Sequence, residues 1–299
     1  MQAGYLRRMK ISCIDLHTHS TASDGTDSPA ALIAKAANAG LDAVALTDHD
    51  TLDGLDDAEA GAREKGIIFV RGCEISTETP WGEAHFLGLW IPRDPARTAA
   101  LEAALEDVRT KRNARNLSMA EKLQNLGFDI SYEAAAEVAG GRVVGRPHFA
   151  ELLCRLGVVK DRKEAFRLYL GEGCAAYEPR ELMTPEQAIS LLKEAGALVS
   201  MAHPRLLHAS VAELRQLLET LKPAGLDALE AYHSEHNAGD VRECIELADH
   251  FGFQLTGGSD YHGLPKPKIA LGSGKGGLRV SRHVYEKLMA YRASCGMQD

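Results

Sequence analysis

Short apolar strands alternate with well-capped helices in this chain, and that rhythm limits the fold more than any other feature. Residues 11–16 read as a strand that ends in a polar cluster, and residues 42–47 (DAVALT) as a second. Between them, Ser28-Pro29 is a good helix start and Gly40 a good stop, so 29–39 is expected to be helical. A helix over 55–65 closes at Gly66, and strands follow over 67–75 and 84–91. The rhythm returns late in the chain. Thr184 caps a helix to residue 195, a strand covers 197–202, and helix 211–221, strand 227–231, helix 239–251 and strand 253–256 follow. Strand–helix–strand order argues for a parallel α/β sheet or barrel.

Residues 98–124 break the pattern with one long amphipathic helix, and shorter helical stretches follow near 131–139, 147–156 and 160–170. An all-helical insertion, a cap over residues 99–181, is therefore expected within a barrel made of 1–98 and 182–299. A length of 299 residues suits one barrel with an insertion. No apolar run reaches the ~18 residues of a membrane span, and residues 1–10 lack the apolar core of a secretory signal. The six cysteines form no C-x-x-C pair. Reduced, mostly buried thiols in a cytoplasmic protein are expected. The formal charge of −8 disfavours a long nucleic acid gripped by an outer basic face, so no long DNA partner is expected.

Histidines and carboxylates gather where the strands end. His17-Thr18-His19 puts two imidazoles on one face of an extended segment. Alone such a pair is often two surface histidines. Asp24 follows in an Asp-Gly turn, and Asp48-His49-Asp50 closes the second strand. Glu74 sits at the end of a nearly all-apolar strand, where an unpartnered carboxylate is rare. Alternation sends Cys73 to the opposite, core face. His203-Pro204 follows another apolar strand, and Asp260-Tyr261-His262 follows Gly257-Gly258, which permits a close turn. His85 fits less well, because it lies early in its strand. Six histidines and three carboxylates are too many ligands for one ion, so two or three divalent ions are implied. Without thiolates, the set favours Mn²⁺, with Fe or Zn²⁺ as alternatives, over a structural zinc.

The order H-T-H-S (17–20), T-D-H-D (47–50), Glu74, His85, A-H-P (202–204) and S-D-Y-H (259–262) resembles the polymerase-and-histidinol-phosphatase (PHP) family of metal-dependent phosphoesterases. The resemblance implies a distorted (β/α)7 barrel with a trinuclear site at the strand ends. It implies that His17, His19, Glu74 and Asp260 hold one ion, Asp24, His49 and His262 a second, and Glu74, His85 and His203 a third. Some members carry His at the position of Asp24, and either side chain can ligate. The stretch G-R-P-H-F-A (145–150) with the helical insertion resembles the branch that hydrolyses nucleoside 3′,5′-bisphosphates and trims short RNA from its 5′ end.

The expected activity is hydrolysis of the 3′-phosphate of a bisphosphate such as pAp, giving the 5′-monophosphate and phosphate through a metal-bridging hydroxide. Arg146 and His148, on a Gly-Pro turn at a helix start, are expected to hold the other phosphate. Arg112 and Arg115, within a basic run beside Arg109 and Lys111, are further substrate-binding candidates against a solvated-face alternative. His233, His236 and Arg205 are candidates for proton transfer or contact with the reacting phosphate. A 5′→3′ exoribonuclease on short 5′-phosphorylated oligoribonucleotides is the alternative reading. A metal-dependent amidohydrolase is disfavoured, since no strand-end lysine stands out, and a non-catalytic accessory domain is disfavoured by the full ligand set.

Overall fold

The computed structural model describes residues 13–140 and 143–297. The expected signal-free stretch 1–10 and the first two residues of the strand expected over 11–16 lie outside them. Among the described residues eight strands form one sheet: β1 (Cys13–Asp15), β2 (Ala43–Leu46), β3 (Ile68–Thr79), β4 (Gly82–Leu89), β5 (Leu198–Met201), β6 (Ala228–His233), β7 (Gln254–Gly258) and β8 (Val280–Ser281). Their spatial order is β7-β6-β5-β4-β3-β2-β1-β8. The end of β1 then meets the end of β7. The amide of Leu16 donates to Gly257 O at 3.1 Å and that of Asp260 to His17 O at 2.9 Å. The sheet is thereby a nearly closed α/β barrel, as the strand–helix rhythm implied.

One strand departs from that rhythm. β4 runs antiparallel to both β3 and β5. Only Pro80 and Trp81 separate Thr79 from its partner Gly82, whereas a parallel crossover needs about a dozen residues. The reversal explains His85. A residue early in an antiparallel strand lies at the same barrel end as residues late in parallel ones. His85 accordingly pairs in register with Ser76, two residues beyond Glu74.

Helices α1 (Pro29–Ala39), α2 (Leu55–Lys65), α7 (Pro185–Ala195), α8 (Val211–Ala224), α9 (Ala238–Phe251) and α10 (Arg282–Ser294) surround the sheet. Their ends carry their own signals. Ser28 caps α1 through the Ala31 amide, and Thr184/Gln187, Ser210/Glu213 and Asn237/Asp240 form reciprocal capping boxes. The apolar face of α7, through Ile189 and Leu192, packs into the core with Phe86, Val199 and Met201. Helix α10 and β8 carry no counterpart among the expected elements.

Between β4 and β5 run α3 (Pro95–Asn125), α4 (Tyr132–Ala139), α5 (Arg146–Arg155) and α6 (Arg162–Ala165), the last continuing as a π turn over Phe166–Leu170. Helix α3 crosses residue 98 unbroken. Its first half places Leu101 and Leu105 in the barrel-side core. Its second half places Met119, Ala120 and Leu123 in a separate cluster with Ile130, Phe149, Leu153 and Leu170. One rigid helix thus spans both cores. The cysteines are all free; Cys13, Cys73 and Cys244 are buried, Cys154 and Cys174 partly so, and Cys295 is exposed.

Candidate metal centre

The nine sequence-derived candidate ligands come from six strands, β1 to β5 and β7, or from the loops just after them, and form one cluster. Glu74 lies inside β3, which runs on to Thr79, rather than at the strand end expected at residue 75. Glu74 is its centre, and its two oxygens face different partners. Oε1 lies 3.0 Å from His85 Nδ1 and 3.1 Å from His203 Nε2. Oε2 lies 3.3 Å from His17 Nε2, 3.3 Å from His19 Nε2 and 3.1 Å from His49 Nδ1. Asp260 Oδ1 approaches His19 Nε2 at 3.3 Å and His17 Nε2 at 3.6 Å. On the other side Asp24 Oδ1 lies 3.3 Å from His262 Nε2, and Asp24 Oδ2 lies 4.0 Å from His49 Nε2. His19, Asp24, His49 and His262 form one group of mutually close ligand atoms; His17, His19 and Glu74 form another, and His49, Glu74 and His85 a third.

The cluster fits divalent cations. His17 Nε2, His19 Nε2, His49 Nδ1 and Glu74 Oε2 are buried and have no hydrogen-bond partner among the described residues. Leaving so many polar atoms unpaired costs ~1–3 kcal/mol each unless a further group satisfies them. Within each group the ligand atoms lie within 4.8 Å of one another, close enough to share a cation. Metal-free electrostatics show the same strain. Burial opposes charge on His17, His19 and His49, yet Glu230 and Glu74 hold His17 well above the ordinary value. Asp260 and Glu74 hold His19 at about 9 against burial. His49, for which burial dominates, falls to about 3. Against the same penalty, His49, His17 and His85 hold the Glu74 carboxyl well below its usual range.

The backbone bends hard to deliver these groups. Asp50, His203 and Asp260 all adopt positive φ, at 51°, 28° and 57°. For residues other than glycine this conformation costs on the order of 1 kcal/mol or more and is kept where the surroundings over-determine it. Gly257 and Gly258 are the last residues of β7 and do not turn the chain. Gly258 is needed for closeness, since a Cβ there would collide with the backbone nitrogen and Cβ of His17.

Three groups at the cluster were missed by sequence reasoning. Glu230 accepts His17 Nδ1 at 3.0 and 3.2 Å and the His203 amide at 2.8 Å, and so orients two rings at once. Its signal was the one that marked Glu74, a lone carboxylate in an apolar strand. Lys266 Nζ lies 2.6 Å from Asp260 Oδ2; it sits on a loop and left no sequence signal. Arg180 lies 2.9 Å from Asp50 Oδ2 and 3.4 Å from Glu83 Oε2. The flanking acids Asp15 and Asp48 act locally. Asp48 accepts Ser20 N and Oγ, and Asp15 accepts Ser259 N and Oγ.

A cavity of about 290 Å³ opens beside the cluster, and His49, His85, Arg112, Arg115, Arg146 and Arg180 line it. The basic run on α3 is therefore split by the helical period. Lys111 pairs outward with Asp107 at 3.1 Å, while Arg112 pairs with the buried Asp50 and Arg115 is itself buried. Burial and repulsion from Arg146, Arg180 and Arg112 pull Arg115 down to about 10. His148 does not line this cavity. Its Nδ1 accepts the Gly145 amide and closes the start of α5. Arg205 turns elsewhere, to Glu243 at 3.2 Å and Asp240 at 3.6 Å on α9. His233 Nδ1 accepts the Glu235 amide at 3.1 Å. Its Nε2 faces Asp260 Oδ2 at 3.4 Å. His236 Nδ1 lies 3.0 Å from Ala231 O, and its ring is 5.2 Å from that of His233.

A barrel with this many nitrogen and oxygen ligands at one mouth, beside an arginine-lined cavity, defines a metal-dependent hydrolase of anionic esters. Comparison with known proteins narrows the class. Residues 15–155 match the PHP domain. The chain is 34% identical over 258 residues to a 5′-3′ exoribonuclease of Haemophilus influenzae, covering 86% of this chain and 92% of that one. It is 34% identical over 252 residues to a 3′,5′-nucleoside bisphosphate phosphatase of Chromobacterium violaceum, covering 83% and 87%. A crystal structure provisionally classed as a metal-dependent phosphoesterase, from Bifidobacterium adolescentis, superposes with a TM-score of 0.78 at 28% identity, covering 93% of this chain and 96% of that one. The chain belongs to the PHP family and is a metal-dependent phosphoesterase. Among the described residues no helix is long and apolar enough to cross a membrane.

Proposed function

We propose that this phosphoesterase removes the 3′-phosphate of nucleoside 3′,5′-bisphosphates such as pAp, leaving the 5′-monophosphate. The observation that carries this reading is the shared wall of the arginine cavity and the ligand cluster. His49 and His85 line the same space as Arg112, Arg115, Arg146 and Arg180. A substrate with two phosphates can place one at each.

His17, His19, Asp24, His49, Glu74, His85, His203, Asp260 and His262 would hold two or three divalent ions, with Mn²⁺ the best match to this donor set. Such ions supply a nucleophilic hydroxide near neutral pH and offset charge on the phosphoryl oxygens. The chain's own residues do the rest. Glu230 sets the ring of His17, and Lys266 holds Asp260 Oδ2, with His233 beside it, so that Oδ1 faces the cluster. Arg115 and Arg146 bind the remote 5′-phosphate, and that binding selects bisphosphates over simple monoesters. Residues 99–181 serve as the cap that supplies these arginines.

A second reading uses the same site. The likeness to the Haemophilus influenzae exoribonuclease supports action on short 5′-phosphorylated oligoribonucleotides, one nucleotide at a time. The test compares pAp, 3′-AMP and a 5′-phosphorylated trinucleotide with Mn²⁺-loaded protein. The proposal expects pAp to exceed 3′-AMP in kcat/KM by at least ~10-fold, the worth of one charge-assisted contact. Equal rates on pAp and 3′-AMP refute it, and preference for the trinucleotide moves the assignment to the second reading. His49→Ala should abolish all three activities.

A further inference from the structure

Glu83 stands in the arginine cavity as an anion of the protein's own. It sits at the start of β4, two residues before His85, and its side chain is 38% exposed. One oxygen lies 3.8 Å from Arg146. The other lies 3.4 Å from Arg180 and 3.8 Å from His85 Nε2. These distances are too long for aligned hydrogen bonds apart from the one to Arg180. The carboxylate is thus held loosely among cations that tighter contacts would satisfy better. Arg180 divides its guanidinium between Glu83 and the buried Asp50. Arg115, crowded by Arg112, Arg146 and Arg180, has no hydrogen-bond partner for its Nε among the described residues.

We propose that Glu83 is a specificity-determining residue: it occupies the phosphate position in the free protein and sets the charge that an incoming group must match. This inference rests on the proposed function, in which the cavity receives the 5′-phosphate. Four guanidiniums against Asp50 and Glu83 leave two positive charges among the described arginines and their partners while Glu83 is in place, and three once it is displaced. A terminal phosphate monoester, near two negative charges, outcompetes the single charge of Glu83 and displaces it toward solvent. An internal phosphodiester carries one charge and displaces it poorly. The cavity therefore reads a free 5′ end rather than a chain interior. Its position explains why a carboxylate belongs in an anion site at all: like charge placed against a wrong ligand supplies discrimination.

The experiment uses full-length protein stripped of metal, so that the ligand cluster contributes no cation. Binding of inorganic phosphate and of dimethyl phosphate, a monoanionic diester, is measured by calorimetry for wild type, Glu83→Gln and Arg180→Gln. Loss of the competing carboxylate should tighten dimethyl phosphate about three- to tenfold, and inorganic phosphate by a smaller factor, so that the preference for the dianion narrows. Unchanged or weaker diester binding in Glu83→Gln, with wild type binding phosphate and Arg180→Gln losing it, overturns this inference and leaves the proposed function standing. If neither wild type nor Glu83→Gln binds phosphate, the cavity is not an anion site, and both readings fall. Melting temperatures of the variants confirm that the fold persists.

Discussion

Glu230 holds His17 by the nitrogen that the cluster does not use. Its carboxylate lies 3.0 and 3.2 Å from Nδ1, and Nε2 is left facing Glu74 and Asp260. Because both residues are fully buried, the contact fixes the tautomer as well as the ring plane. The same carboxylate anchors the strained backbone at His203.

Glu230→Gln keeps the size and removes the charge. It should weaken divalent-metal affinity by roughly 10–100-fold, the usual effect of removing a carboxylate behind a ligating histidine. Calorimetric Mn²⁺ titration of the metal-free variant measures it. Wild-type affinity in the variant would show that Glu230 is merely packing.

Metal binding should release protons near neutral pH. His19 and His85 sit at about 9 and about 10, above the ordinary 6.5; burial opposes this, and neighbouring carboxylates, Glu74 in both cases, outweigh it. A raised value means that these pairs stabilise the metal-free fold fully below 6.5 and lose that contribution as pH climbs through 9 to 10. Asp24 and Glu74 are depressed, so their share is present above ordinary carboxylate values and is lost in acid. Cations compete with the protons on the two histidines, so apparent metal affinity should rise with pH across the alkaline window. Titrations in two buffers of different ionisation heat count the protons. Zero release near neutrality contradicts the assignment.

Gly258→Ala should lower both stability and metal affinity. The added methyl meets His17 backbone and Cβ where β7 closes against β1. Overpacking of this kind costs ~1–3 kcal/mol. Here the atoms that must yield carry a ligand ring. Denaturant melts and Mn²⁺ titration should therefore change together. A loss of stability with unaltered affinity would show that the barrel absorbs the shift elsewhere.

Arg180→Gln removes a cation shared by Asp50 and Glu83. On pAp the variant should lose about 10–100-fold in kcat/KM, the worth of a hydrogen bond to a charged group, mostly through KM. Because Asp50 follows His49 directly and keeps Arg112, the cluster should still load metal. Unchanged KM for pAp would remove Arg180 from the substrate site.

Much of this molecule was legible in local sequence because its signals are local. Helix caps act within three or four residues, and apolar strands announce themselves by composition. The polar residues read at those strands meet at one barrel mouth, although Glu74 lies inside β3 rather than at its end. His85 was the doubtful member, and the two-residue turn at Pro80-Trp81 already contained the answer. A connection that short cannot cross over, so β4 must reverse.

The tertiary structure alone decided how those groups meet. Which oxygen of Glu74 serves which histidine depends on register across β3, β4 and β5. Glu230 reaches His17 across 213 positions, and Arg180 reaches Asp50 across 130. No spacing rule encodes such separations, because the barrel's closure, not the chain's local geometry, sets them. The residue types and their association with strands were written in the sequence. The division of the cluster, the arginine wall and the carboxylate placed within it follow from packing a long helix and a returning loop over one end of the sheet.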